Sequence, residues 1–242
     1  MPVSKKRKNA VNKPRKVVPL TVQKTERWAA SLNGSRLMYL RNDPDFLTII
    51  KMGRATNAVS YALTNVIRED GKTVASTRQF RRGSFVLAGY LHEGINVVRS
   101  IKGRYLTHPK FEPLRALALA AEYKRDRDYI RTIRNVVAFH LDEVDETTRH
   151  ALGKLKPSTL PFMAGDDRMF MTFYFEFSDY LDVSYLVEKF GDGRSWEETA
   201  QDIVNSIMKF SEKFLIAAHE FQMDLCDKVK ISEHVYRGVV PR

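Results

Sequence analysis

Apolar and polar residues alternate along most of this chain with the period of an α-helix. In the segment 44–67 the apolar positions that recur at helical spacing are Phe46, Ile49, Ile50, Val59, Ala62, Leu63 and Val66. Asp43 followed by Pro44 is a typical helix start. The residues Glu-Asp-Gly-Lys at 69–72 interrupt the pattern. The pattern therefore predicts a first long helix that begins at Pro44 and ends before residue 69.

Two further long helices are predicted in the middle of the chain. The first covers roughly Arg78–Lys102, and its apolar stripe consists of Phe80, Leu87, Leu91, Ile95 and Val98. A turn is predicted at residues 107–113, and the apolar residues 114–121 form either a short helix or the first turns of the next one. The second long helix covers roughly Tyr123–Val144, with Ile130, Ile133, Val137 and Leu141 on one face.

The last third of the chain has a different pattern. Residues 158–177 are rich in Phe, Tyr, Thr and Met and contain Gly-Asp-Asp-Arg at 165–168, which predicts a β-hairpin with strands at about 159–164 and 169–176. Ser178-Asp179 is predicted to cap a short helix that ends near Phe190. After a loop at 191–195, Ser195 and Glu198 form a capping box for a long C-terminal helix that ends near Lys228.

The predicted fold class is mainly α: a helical bundle with one small β-hairpin and a long C-terminal helix. We expect residues 1–25 to form a basic, disordered tail and residues 26–242 to form a single helical domain. Of the net charge of +11, seven positive charges lie in residues 1–17, which leaves +4 for the other 225 residues. The tail is expected to contact nucleic-acid phosphates or to serve only as a solubilising extension.

Several functional classes are not supported by the sequence. It has no apolar run of about eighteen residues, so we expect no membrane span. Cys226 is the sole cysteine, which excludes an intramolecular disulfide or a cysteine zinc site and favours a cytoplasmic protein. Phosphate-binding glycine loops, zinc-protease motifs and a serine-hydrolase motif are absent from the sequence. No metal and no cofactor are therefore expected.

The candidate chemistry lies in residues 133–144, Ile-Arg-Asn-Val-Val-Ala-Phe-His-Leu-Asp-Glu-Val. Here Arg134, Asn135 and His140 stand within an otherwise apolar run. Arg134 ends a basic stripe that also contains Lys124, Arg127 and Arg131. On an α-helix His140 would lie on the apolar face, about 120° around the axis from Arg134. A second interpretation is that His140 is a buried, hydrogen-bonded histidine and that Arg134 is its surface-facing neighbour.

This arrangement resembles the signature of the HEPN superfamily, in which an arginine is often followed by Asn, Asp or His and then, after four to six residues, by a histidine. Here the residues are Arg134, Asn135 and His140, and the resemblance covers roughly residues 44–190. Many toxin members carry a tyrosine two residues after the histidine, where this chain has Asp142. The resemblance implies a dimer that brings two copies of the motif into one cleft, in a toxin or antiphage defence system.

The expected function is a metal-independent endoribonuclease with RNA as its substrate. His140 is the candidate proton-transfer group, Arg134 the phosphate-binding group, and Asn135 a residue that orients either of them. Lys124, Arg127 and Arg131 are candidates for RNA binding. Glu93 either pairs with Arg134 or faces solvent. The alternative function is a non-catalytic dimeric module that binds nucleic acid or a partner protein such as an antitoxin.

Overall fold

The computed structural model describes residues 29–30, 34–68, 74–138, 164–167, 172–231 and 235–236. The α-helices in this part of the chain are α1 (Gly34–Leu40), α2 (Pro44–Arg68), α3 (Val74–Ile101), α4 (Glu112–Leu119), α5 (Lys124–Thr132), α6 (Glu176–Phe190) and α7 (Trp196–Lys228). The predicted mainly helical class is confirmed. No helix among these residues has both the length and the apolar character that a membrane span requires.

Short non-α elements connect and flank these helices. Two 3₁₀ turns, Pro109–Phe111 and Ala121–Tyr123, lie on either side of α4, and a π-helix, Ile133–Ala138, continues directly from α5. The strands are β1 (Ala29–Ala30), β2 (Ala164–Asp167), β3 (Thr172–Phe175) and β4 (Val235–Tyr236). β1 pairs antiparallel with β4, and β2 pairs antiparallel with β3.

The predicted boundaries around β2 and β3 are wrong. Residues 165–168 were expected to form the turn, but Gly165, Asp166 and Asp167 lie in β2, paired with Tyr174, Phe173 and Thr172. Pairing with β3 thus outweighs the preference of Gly and Asp for turns over strands. The connection at 168–171 and the predicted strand residues before Ala164 lie outside the described residues. Similarly, α6 begins at Glu176, two residues before its predicted cap at Ser178.

α2 and α3 form an antiparallel helical hairpin. α2 begins as predicted, because the Oδ1 atom of Asp43 accepts hydrogen bonds from the backbone amides of Asp45 at 2.8 Å and Phe46 at 2.9 Å. Near the other end of the pair, a Cβ atom on Gly83 would lie 3.1 Å from Cγ2 of Val66. The absence of a side chain at Gly83 therefore allows the two helices to approach closely.

α7 packs against both helices of this hairpin and provides much of the core. The predicted capping box is confirmed: Ser195 Oγ accepts from the Glu198 amide, and Glu198 Oε2 accepts from the Ser195 amide, both at 3.2 Å. The apolar face of α7 is buried and contains Ile203, Ile207, Phe210, Phe214, Ala217, Ala218 and Phe221. A Cβ atom on Gly94 of α3 would lie 2.7 Å from Cζ of Phe214, so the ring occupies the space of a missing side chain.

The predicted third long helix is not one continuous α-helix. The chain forms a 3₁₀ turn up to Tyr123, then α5, and at Ile133 it changes to the π-helix, whose last residue is Ala138. Apolar spacing over a few turns does not distinguish α-helical from π-helical hydrogen bonding, and this is why the sequence pattern missed the change. The remainder of the predicted helix, residues 139–144, lies outside the described residues.

One buried carboxylate joins three helical regions at the end of the bundle. Asp45 accepts hydrogen bonds from Lys228 Nζ at 2.6 Å, from Tyr105 Oη at 2.7 Å and from Arg104 Nε at 3.0 Å. We call these four residues the Asp45 cluster. Burial raises the pKa of Asp45, but the hydrogen bonds from Lys228, Tyr105 and Arg104 outweigh it and lower the pKa to about 2. The cluster thus fixes the start of α2 to the turn that follows α3 and to the end of α7.

Candidate functional site

Arg134 and Asn135 lie at the beginning of the π-helix, immediately after α5. Ile130 and Ile133, which precede them directly, are fully buried in the core. The π-helix packs against α3, which faces it across the bundle. Because π-helical turns are rare and occur frequently at functional sites, this change of backbone is itself a reason to consider the two polar residues as a site.

The guanidinium of Arg134 is oriented by groups on two elements. Its Nη2 atom lies 3.5 Å from Oε1 of Glu93 on α3, and its Nη1 atom donates to Oδ1 of Asn135 at 3.2 Å. The Arg134 side chain is 32% exposed and that of Glu93 is 58% exposed. Of the two alternatives for Glu93, the ion pair with Arg134 is the one that the structure contains. The sequence-predicted pair Arg134–Asn135 is therefore brought together, with Glu93 as a third member.

His92 adds a titratable group beside this pair. It precedes Glu93 on α3 and is half-buried. Burial lowers the pKa of His92, and the carboxylate of Glu93 opposes this effect. The positive charges of Arg134, Arg99 and Arg131 lower the pKa further. The imidazole of His92 is thus neutral near pH 7 and can accept a hydrogen bond or a proton.

His92 and Arg99 are not among the site residues predicted from the sequence. A signal for both was present, because a separation of seven residues on one helix places two side chains on the same face. The predicted basic stripe lies on the next helix and contains no residue of α3. The contribution of α3 to the site depends on the packing of two helices that are far apart in sequence, which no local pattern reveals.

Arg99 and Arg127 are engaged in holding the end of α4. Arg127 donates from Nη1 to the carbonyl oxygen of Leu117 at 3.0 Å and from Nη2 to that of Leu119 at 3.5 Å. Arg99 donates from Nη2 to the carbonyl oxygen of Ala118 at 3.4 Å. Carbonyl groups at a helix C-terminus lack partners within the helix and attract cations. The predicted RNA-binding residue Arg127 therefore has a structural function in this state of the protein.

Lys124 and Arg131, the other two predicted RNA-binding residues, are exposed and share one carboxylate. Both lie 2.9 Å from an oxygen of Asp128, one turn away on α5. Ion pairs between exposed side chains of one helix contribute little and are easily exchanged. The two cations therefore remain accessible to other anions, and their contact with RNA stays a prediction.

An open cavity of about 380 Å³ lies beside Lys124, between α5 and the end of α6. Its charged lining residues are Glu122, Lys124, Arg125, Asp128, Lys189 and Asp192. The three cations are balanced by three carboxylates, so the cavity offers no net attraction to a phosphate. We therefore do not include it in the site.

His140 and Asp142 lie outside the described residues. Within the described ranges, no three His, Cys, Asp or Glu side chains come together in a way that could hold a metal ion. Comparison of the chain with protein-family models, with curated proteins and with solved structures finds no match. The chemistry of the described residues is thus an ion pair, Arg134–Glu93, flanked by the neutral imidazole of His92 and the amide of Asn135.

Proposed function

We propose that the protein is a metal-independent endoribonuclease of HEPN type that acts as a dimer. The observation that supports this proposal is the placement of Arg134, the first residue of the motif, on a π-helical turn. There its side chain is about two-thirds buried, and its guanidinium contacts Glu93 and Asn135. A guanidinium held in a fixed orientation can bind a phosphodiester through two parallel hydrogen bonds. His140 is the third residue of the motif.

The proposed reaction is a transesterification within the RNA chain. The 2′-oxygen forms a bond to phosphorus while the bond from phosphorus to the 5′-oxygen breaks. The products are a 2′,3′-cyclic phosphate and a free 5′-hydroxyl. In this scheme His140 transfers the proton that leaves the 2′-hydroxyl or enters the 5′-oxygen, and Arg134 stabilises the charge on the phosphoryl oxygens. The substrate itself supplies the nucleophile.

Glu93 has a positioning function in this proposal. Its contact with Arg134, at 3.5 Å, is longer than the 2.7–2.9 Å that is typical of a charge-assisted hydrogen bond. A phosphate that approaches the guanidinium can therefore replace the carboxylate without breaking a tight bond. Asn135 would keep Nη1 in place during this exchange. Lys124 and Arg131, which are exposed on the same segment, would contact neighbouring phosphates of the RNA.

The first prediction concerns the proton-transfer group. His140→Ala should lower RNA cleavage by about 10² to 10⁴-fold while RNA affinity changes little, because the imidazole contributes chemistry and little contact area. Cleavage is measured on a labelled RNA in the presence of a chelator, and the 3′ ends are analysed for a cyclic phosphate. His219→Ala, which changes an exposed histidine of α7, is the matched control and should cleave normally.

Three results would contradict this proposal. The first is inhibition of cleavage by the chelator, and the second is cleavage of a substrate with a 2′-deoxy sugar at the cleaved position. The third is unfolding of the His140→Ala variant, which would indicate the buried, hydrogen-bonded histidine of the second interpretation. A wild-type protein that binds RNA without cutting it would instead identify the non-catalytic binding module.

A further inference from the structure

Large apolar side chains are exposed mainly on the first two helices. Among the residues whose exposure the structure describes, twelve large apolar side chains are exposed, and seven of these lie on α1 or α2. These seven are Leu37, Met38, Tyr39, Leu47, Ile50, Tyr61 and Ile67. Concentration of exposed apolar residues in one region is typical of an interaction site, whereas scattered single residues are ordinary. We call the outer surface of these two helices the α1–α2 face.

The α1–α2 face carries no exposed carboxylate. Within Gly34–Ile67, every residue of which the structure describes, the two acids are Asp43 and Asp45. Asp43 caps the start of α2, and Asp45 is buried in the Asp45 cluster. Lys51 and Arg54 are exposed on the same helix. The face therefore presents apolar and positively charged groups to a partner.

α7 shows that this pattern is not a general property of the chain. It is also long and also contributes one face to the core, but its exposed positions carry charges of both signs. These charged residues are Glu197, Glu198, Lys209, Glu212, Lys213, Glu220, Asp224, Asp227 and Lys228. A mixture of both signs is typical of a helix face that remains in water. The α1–α2 face has no such mixture of charges, because it carries no exposed carboxylate.

The spacing of the exposed residues of α2 fits a helical partner. Leu47, Ile50, Arg54 and Tyr61 are separated by three, four and seven residues. This is the heptad spacing at which two helices contact each other along a seam. From Leu47 to Tyr61 the seam is about 21 Å long at the helical rise of 1.5 Å per residue. We propose that the α1–α2 face binds an acidic amphipathic helix of a partner protein.

Charge and chemistry disfavour three other occupants. A second copy of this chain, bound through the same face, would place Lys51 and Arg54 opposite cations without a carboxylate to pair with. RNA bases could stack on Tyr61, but RNA would gain little from Leu47 and Ile50, because aliphatic side chains neither stack on bases as aromatic rings do nor bind phosphates. A membrane surface requires a continuous apolar face, and polar Asn57 interrupts the seam between Arg54 and Tyr61.

This surface is separate from the candidate site. α2 packs against α3 and α7, whereas the π-helix that carries Arg134 packs against α3 and α5. α3 therefore lies between the two surfaces. Binding of a partner helix at the α1–α2 face is therefore independent of the proposed ribonuclease activity, and a test can contradict one without contradicting the other.

The test uses a synthetic peptide of about three heptads with Leu at the a and d positions and Glu at the e and g positions. A second peptide has Lys in place of each Glu. Binding of both to the full-length protein is measured by fluorescence anisotropy. We expect the acidic peptide to bind at least about tenfold more tightly than the basic one. The double variant Lys51→Glu/Arg54→Glu should lose or reverse this preference.

The matched control is Lys209→Glu/Lys213→Glu on α7, which makes the same change of charge and should leave the preference unchanged. Ile50→Asp should weaken binding of the acidic peptide at least about tenfold without changing the fold, because Ile50 is exposed. Equal affinity for the two peptides, no binding, or an equal effect of the α7 variant would overturn the inference. So would loss of self-association or of RNA affinity in Ile50→Asp, which would identify a second copy or RNA as the occupant.

Discussion

The Asp45 cluster and the Glu93–Arg134 pair differ in nearly every physical respect. In the first, the carboxylate of Asp45 is 7% exposed and accepts three hydrogen bonds of 2.6–3.0 Å. In the second, Glu93 in the middle of α3 is 58% exposed and lies 3.5 Å from Arg134. In the first cluster the acid is buried, and its cationic partners, Arg104 and Lys228, come from two other parts of the chain. In the second the cation is the more enclosed partner and the acid reaches it from solvent.

This difference indicates which cluster maintains the fold and which can exchange its partner. A buried carboxylate without partners is costly, so the bonds of Asp45 must persist as long as the protein is folded. An exposed carboxylate regains its hydration when it leaves, so Glu93 can be displaced from Arg134 at little cost. We therefore expect the Asp45 cluster to govern stability and the Glu93–Arg134 pair to govern the response to an anionic ligand.

The largest effect on stability should follow from Asp45→Asn. The amide cannot satisfy Lys228 and Arg104 as a carboxylate does, so the free energy of unfolding should fall by about 2–4 kcal/mol. Urea denaturation monitored by circular dichroism measures this change. Asp227→Asn, at an exposed position near the same end of α7, is the control and should change it by less than about 0.5 kcal/mol. If the two variants lower the free energy of unfolding equally, the Asp45 cluster does not stabilise the fold more than an exposed aspartate does.

The second-largest effect on stability is expected when the pH is lowered. The folded-state pKa of Asp45, about 2, is below the ordinary value of 3.8. The stabilisation is therefore fully present above pH 4 and is lost as the pH falls from about 4 to 2. Its size should be about 2 kcal/mol, since one pKa unit corresponds to 1.36 kcal/mol. In Asp45→Asn this part of the acid transition should be missing, and an unchanged profile would show that Asp45 is not its source.

The smallest effect on stability is expected for Glu93→Gln, which should change the free energy of unfolding by less than about 1 kcal/mol. The same variant should raise affinity for RNA, because it removes the anion that competes for Arg134.

Arg134→Ala should also cost little stability but should lower both RNA affinity and cleavage. Arg115→Ala removes a similarly exposed arginine that pairs with Glu112 and is the control for both readouts. A loss of stability comparable to that of Asp45→Asn would make Glu93–Arg134 a structural pair.

Local features of the fold were predictable from the sequence because their signals are short. The start of α2 depends on Asp43 and the two amides that follow it closely, and the start of α7 depends on Ser195 and Glu198. In each case the partners are within three residues of one another. The chemistry of such a contact is visible in a few consecutive letters of the sequence.

The Asp45 cluster could not be predicted in the same way. Asp45 is 59 residues from Arg104 and 183 from Lys228, and no local pattern connects them. Glu93 and Arg134 are 41 residues apart, and sequence reasoning reached that pair only as one of two alternatives for Glu93. Helical periodicity identifies which face of each helix is apolar, but it does not determine which helices become neighbours.

The π-helix after α5 has a consequence for how the chain can change in length. A π-helical turn contains about one residue more than an α-helical turn, so it accommodates a local insertion. Deletion of one residue within Ile133–Ala138 can be absorbed if the hydrogen bonds return to the α-helical pattern. The buried anchor Ile130 and the preceding residues of α5 would keep their positions. The segment that holds Arg134 is therefore the part of this helix where the number of residues can vary by one without disturbing the bundle.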